Sequence, residues 1–130
     1  MNVVLDTNVL ISGLINPKGT PVKIINLLLN ERIILFYDNR IVQEYNEVLH
    51  REKFGFTSDL IDPLIDFIRS EGQFVAADPI TTHVNDEDDK MFLEVAESAA
   101  VDFLITGNTK HFPDSNRIVT PKEFIETRLR

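Results

Sequence analysis

Val3-Val4-Leu5-Asp6-Thr7-Asn8 decides how this chain is read. Residues 2–5 form a short apolar, β-branched run that suits a buried strand. The run passes directly into a carboxylate. Asp6 therefore stands at the C-terminal end of a first strand, which is where open α/β sheets place their ligands. The same stretch also suits a helix cap, with Asp6, Thr7 or Asn8 starting a short helical turn through Val9, Leu10 and Ile11 that ends near Ser12-Gly13. On these residues alone both readings stay open.

The rest of the composition narrows the chemistry. At 130 residues the chain is expected to form one domain, residues 1–130, with a core that needs no staples. It has no cysteine, so disulfides and thiolate-bound metals are excluded. Any metal must sit on oxygen or imidazole, which points to hard cations. No basic segment leads into an apolar stretch, and no run is long enough to cross a bilayer, so the expectation is a cytoplasmic protein with no membrane partner. A net charge of −8 argues against a broad electrostatic grip on a phosphate backbone. Nucleic acid is not excluded, because carboxylates gathered around divalent cations make a site less negative than its sequence suggests. An acidic surface also suits a basic protein partner.

Strands and helices alternate along the chain. Thr20-Pro21 starts a helix, with Thr as N-cap, that carries Val22, Ile25, Leu28 and Leu29. Ile33 to Tyr37 reads as a strand buried on both faces of a parallel sheet. From Arg40 to about Lys53 a helix shows an apolar face of Ile41, Tyr45, Val48 and Leu49, and Glu44 borders that stripe. Phe54-Gly55-Phe56 breaks it, as a packed corner or a mobile clamp. Ser58 or Asp59 caps the next helix, which buries Leu60, Leu64, Phe67 and Ile68 up to Gly72. Phe74-Val75-Ala76 is a short strand. The acidic run at residues 85–89 precedes a helix with Met91, Phe92, Val95, Ala96 and Ala99 inward. Phe103 to Thr106 and Ile118-Val119 are further strands, and Thr120-Pro121 starts a last helix with Phe124, Ile125 and Leu129 inward. The pattern gives an α/β fold with a central parallel sheet of four to five strands and helices on both faces.

The acids at 86–89 have an ordinary use, since negative charge in a first helical turn is favoured by the helix dipole and Asp86 makes a good N-cap. Asp89, however, is in phase with Phe92 and Ala96 on the buried side, where a carboxylate must be paired, capped or metal-bound. In a parallel sheet Asp6, Asp89 and Asn108 emerge at the carboxyl edge, and Glu44 can reach it from a packed helix. Acids converging there with no Lys or Arg between them repel. A divalent cation relieves that repulsion, and Mg²⁺ or Mn²⁺ on oxygen ligands suits phosphodiester hydrolysis.

These pieces resemble a PIN-domain ribonuclease, of the broad group that includes VapC-like toxins of toxin–antitoxin pairs. The matching segments are Val3 to Ser12, Glu44 in its helix, Asp86 to Ala96, and Phe103 to Asn108 followed by Lys110, His111 and Phe112. The resemblance implies a PIN-like three-layer sandwich. It also implies a metal-dependent endoribonuclease with RNA as substrate and Mg²⁺ or Mn²⁺ as cofactor. Asp6, Glu44 and Asp89 carry over as catalytic, metal-binding acids, with Asp86 as an extra ligand or orienting group. Asn108 stands where many relatives have a second aspartate, which favours one tight ion over two. The resemblance further implies an antitoxin protein as partner and a homodimer.

Thr7, Asn8 and Thr106 either orient the acids or simply cap strand ends. Lys110 and His111 are expected in a solvated turn. No partner for His50 or His83 is visible in the sequence. Other readings are a structure-specific DNA nuclease, a non-catalytic PIN scaffold, and a phosphorylation switch with Asp38 as acceptor. The last lacks the paired acids that such a switch needs at its first strand.

Overall fold

The computed structural model describes residues 1–129. Its centre is β1 (Asn2–Leu5), in which Val3, Val4 and Leu5 have no exposed surface. Successive strand residues point to opposite faces, so burial of all three means that both faces of the sheet are covered. The remaining strands are β2 (Ile34–Tyr37), β3 (Gln73–Phe74), β4 (Phe103–Ile105) and β5 (Ile118–Val119). They form one five-stranded sheet in the order β3-β2-β1-β4-β5, with every pairing parallel. Val3 pairs with Leu35 on one side and Phe103 on the other.

β2 departs from the expected strand buried on both faces. Leu35 and Tyr37 are buried, whereas Ile34 is 42% exposed. Burial alternates along the strand: Ile33, Leu35 and Tyr37 share the covered face, whereas Ile34 and the half-buried Phe36 share the other, which is only partly covered. β3 itself begins one residue before the expected Phe74 and ends two residues before Ala76.

The first helix, α1 (Thr7–Ile15), is longer than the short turn expected from Ser12-Gly13. Gly13 lies inside it at a close crossing with α2 (Thr20–Leu29), where an added Cβ would strike Ile25 and come within 3.0 Å of the Pro21 carbonyl. The glycine serves close approach of two helices, not termination. Gly19, not Thr20, is the N-cap residue of α2. α3 (Asn39–Leu49) keeps the expected apolar face, and Asp38 caps it through a 3.0 Å bond from the Ile41 amide.

The corner after α3 is a 3-10 turn closed by Gly55 at φ 69°, where Phe54 and Phe56 stack with centroids 5.8 Å apart. α4 (Ser58–Glu71) follows Thr57, which makes no side-chain cap, and buries Ile61, Leu64, Ile65 and Ile68. This i, i+3, i+4, i+7 set turns Leu60 outward, contrary to expectation, and leaves it 46% exposed. α5 (Lys90–Ala99) packs on β1, β2 and β4. α6 (Pro121–Glu123) starts with a reciprocal Thr120–Glu123 capping box and continues as a π turn that buries Phe124. No helix among the described residues is long and apolar enough to cross a membrane.

Candidate functional site

With β1 in the middle of the order, the chain leaves it toward β2 on one side and finds β4 on the other. The carboxyl ends of β1 and β4 therefore frame the crevice where such sheets bind ligands. Asp6 sits there, 4% exposed, with its amide bonded to the Ile105 carbonyl at 2.9 Å. One carboxylate oxygen accepts from the Asn8 amide at 3.4 Å as the cap of α1, and the other accepts the Thr106 hydroxyl at 2.7 Å. Asp6 is thus both cap and crevice carboxylate. Burial raises its pKa above the ordinary 3.8, and the Thr106 hydrogen bond opposes that rise.

Glu44 arrives from the middle of α3, half-buried, and accepts the Thr7 hydroxyl. Burial raises its pKa, Thr7 opposes, and the charges of Asp6, Asp89 and Asp88 raise it further. One residue on, the fully buried Tyr45 donates its hydroxyl to the Leu5 carbonyl and so fixes α3 against the end of β1. Asp89 closes a 3-10 turn (Glu87–Asp89) that leads into α5. Its pKa is raised by burial and then by Asp6, while its hydrogen bond to His111 lowers it. Asp86 is exposed and spends its side chain on the Asp88 amide at 3.0 Å, capping that turn.

Three separate elements thus place Asp6, Glu44 and Asp89 within each other's fields. Their side-chain hydrogen-bond partners are Thr106, Thr7 and His111; none is Lys or Arg. In donor chemistry the set suits a hard cation, being anionic, oxygen-only and partly buried. As placed, however, no three His, Asp or Glu side chains among the described residues form a group that could hold a metal ion. The acids share a crevice without closing on one point.

His111 corrects the expectation of a solvated turn. A 3-10 turn (Thr109–His111) folds its ring back over the crevice, 3.0 Å from Asp89 Oδ2 through Nδ1 and 2.8 Å from the Asn108 amide through Nε2. The Asn108 side-chain amide therefore faces His111. Lys110 is exposed, and its carbonyl accepts from Asn85 at 3.0 Å. Away from the crevice, His50 pairs with the exposed Asp62 at 3.1 Å, and His83 is exposed.

Sequence reasoning also missed an ion-pair network. Arg40 bonds Asp38 at 2.6 Å and Glu94 at 2.8 Å, and the second Glu94 oxygen accepts the Ile80 amide at 3.0 Å. Glu94 is only 6% exposed, among the buried Phe92, Leu93 and Val95. An acid inside that apolar run was the available signal. Asp38, weighed as a phosphoacceptor, is committed to Arg40 and to its helix cap. Between α3 and α5 a cleft of about 380 Å³ opens beside Glu44, lined also by Arg40, Gln43, Glu47, Lys90 and Met91.

Comparison with known proteins accounts for this arrangement. The chain is 34% identical to the uncharacterized protein MJ1680 of Methanocaldococcus jannaschii, an alignment that covers 97% of this chain and 90% of the other. No solved structure gives a significant match. A PIN-domain family model matches residues 2–110, a span that runs from β1 through Asp6, Glu44 and Asp89 to the loop after β4. A sheet and crevice of this kind, under a match of that length, have one classification: the chain belongs to the PIN-domain family, whose members are generally nucleases.

Proposed function

We propose that this chain is a Mg²⁺- or Mn²⁺-dependent endoribonuclease, with Asp6, Glu44 and Asp89 as its metal-binding, catalytic acids and Asp86 as a fourth oxygen at the margin. One observation carries the reading. Asp6 after β1, Glu44 of α3 and Asp89 at the start of α5 share the switch-point crevice, where the charge of Asp6 raises the pKa of both other acids and Asp89 raises that of Glu44, with no Lys or Arg among the described residues paired to them. When bound, a divalent ion there supplies positive charge against the scissile phosphate and acidifies water.

The chain's own contribution is orientation. Thr106 holds Asp6 from the β4 side, Thr7 holds Glu44 from the start of α1, and His111 holds Asp89. Asn8 fixes the second Asp6 oxygen through its amide, and Asn108 meets His111. Cation binding is expected to draw the three acids together, because it replaces mutual repulsion with shared coordination.

A role as the cytoplasmic toxin of a toxin–antitoxin pair is the finer part of the proposal. It is supported by family membership and by the net charge of −8, which suits a basic antitoxin segment. Homodimerisation belongs to the same proposal and is read by sedimentation. A second reading, a PIN scaffold that binds without cutting, is favoured by the unclosed acid group and by Asn108.

Calorimetric titration of Mn²⁺ into wild type, Asp6→Asn and Asp89→Asn, with cleavage of RNA and flap DNA followed in parallel, separates these. Wild type is expected to bind Mn²⁺, gain thermal stability and cut RNA, and both variants to lose all three. Cleavage that survives either substitution refutes the assignment. Absence of Mn²⁺ binding by wild type makes the scaffold the better account, and cleavage of flap DNA alone makes the chain a DNA nuclease.

A further inference from the structure

The loop after β4 carries more hydrogen bonds than a solvated turn needs. Thr106 Oγ1 accepts the Asn108 amide at 3.1 Å, which directs its own proton to Asp6 Oδ2 at 2.7 Å. The Asn108 side chain then turns to the ring of His111, with Nδ2 2.8 Å from Nε2, and His111 Nδ1 reaches Asp89 Oδ2 at 3.0 Å. Asn85 fastens the two loops a second time through the Lys110 carbonyl at 3.0 Å. A continuous chain therefore runs from the carboxylate after β1, across the tip of β4, to the carboxylate at the start of α5.

With the Asn108 amide oriented as it is, the donor order of that chain follows for a neutral ring. An amide nitrogen only donates, so Nε2 of the neutral ring must accept and its proton must sit on Nδ1. Nδ1–H then points at an acceptor-only carboxylate. This is the opposite of the tautomer that neutral histidine favours in water, and it is selected by Asn108 on one side and Asp89 on the other.

We propose that His111 is a positioning residue: gripped by Asn108, it holds the Asp89 carboxylate in fixed relation to Asp6 across the Thr106–His111 loop. The functional part of this inference rests on the reading of Asp6 and Asp89 as metal ligands; the relay itself rests on geometry. It gives Asn108 a use. Where an aspartate would add a charge to the crevice, the amide donates a hydrogen bond that orients the ring. Asp89 gains a directed partner in exchange for the charge that Asn108 does not supply.

The first test needs no metal. Long-range ¹H–¹⁵N correlation spectra of the labelled full chain, at alkaline pH where the ring is neutral, report which nitrogen of His111 carries the proton. Nδ1–H is expected in wild type, and its loss is expected in Asn108→Ala. Nε2–H in wild type overturns the relay.

The second test is Mn²⁺ titration of wild type, His111→Ala and His111→Asn, each first shown to be folded by thermal melting. Removing the ring is expected to weaken Mn²⁺ binding about ten- to a hundredfold, the usual range for partners that orient metal ligands. His111→Asn, whose amide nitrogen can occupy the place of Nδ1, is expected to restore most of the loss. A His111→Ala variant that binds Mn²⁺ as tightly as wild type overturns the positioning role. If wild type binds no Mn²⁺, the metal reading of the crevice fails, and the relay is decided by the tautomer alone.

Discussion

Thr106→Val tests the crevice most directly, because it removes one hydroxyl and almost no volume. Thr106 is fully buried, donates to Asp6 and accepts from the Asn108 amide. A hydrogen bond to a charged group is worth about 1.5–3 kcal/mol, and the Asn108 N–H loses its acceptor as well. The expected cost at pH 7 is about 3 kcal/mol, or roughly 12 °C in Tm for a chain of this size. The cost should also depend on pH in a determined sense. Burial already holds the pKa of Asp6 above 3.8, and the Thr106 bond is the largest influence holding it down. A raised carboxylate pKa gives stability that is fully present below the unfolded value and is lost as pH rises through the folded one. Without Thr106 the folded value climbs further, so the loss at neutral pH deepens. Well below the unfolded value Asp6 is protonated, the bond is neutral, and a neutral bond is about half as strong. Urea unfolding of both proteins at about pH 3 and pH 7 should therefore give a cost at the lower pH roughly half that at the higher. An equal cost at both, or one below about 0.5 kcal/mol at pH 7, refutes the view that Thr106 acts through the ionised carboxylate.

Arg40→Ala should destabilise the fold by about 2 kcal/mol, less than the 3–5 expected for a fully buried pair, because Arg40 is itself half exposed. Although burial pushes the pKa of Glu94 up, the Arg40 hydrogen bond and the other contacts outweigh it and hold it below its ordinary 4.5. That contribution is present above the unfolded pKa and lost as pH falls through the folded one, so thermal melts should show the Arg40→Ala cost shrinking in acid. Gly13→Ala should cost about 1–3 kcal/mol by forcing α1 away from α2 at Ile25 and Pro21, measured by urea unfolding. Because Gly13 meets Ile25 and Pro21 and none of the three acids, Mn²⁺ affinity of the folded variant should match wild type.

Which features could be read from the sequence depended on how local their cause is. β1 was legible because burial on both faces demands an unbroken apolar run, and Val3, Val4 and Leu5 supply one. Exposure of Ile34 was not legible, because an apolar run reads the same whether both faces of its strand are covered or one is left partly open. The ambiguity at Asp6 arose because its two uses were treated as rivals. A carboxylate has two oxygens, and one caps α1 while the other meets Thr106. His111 was misread for a related reason: a polar turn has the same composition whether it is solvated or folded back on a site. Asn108 lies only three residues before His111, but Asp89 comes from the turn before α5 and reaches it only because α5 packs on β1 and β4. Glu94 differs, since an acid between Phe92, Leu93 and Val95 must find a partner if the whole segment is buried. That argument predicts a cation without saying which, and the sheet order chooses Arg40 by setting the end of β2 beside α5. The crevice follows the same logic: strand ends can be read as places where chemistry collects, but which side chains face one another there is fixed by the order β3-β2-β1-β4-β5. The residues that most need testing are therefore those with a partner from a distant element, with Thr106 and His111 first among them.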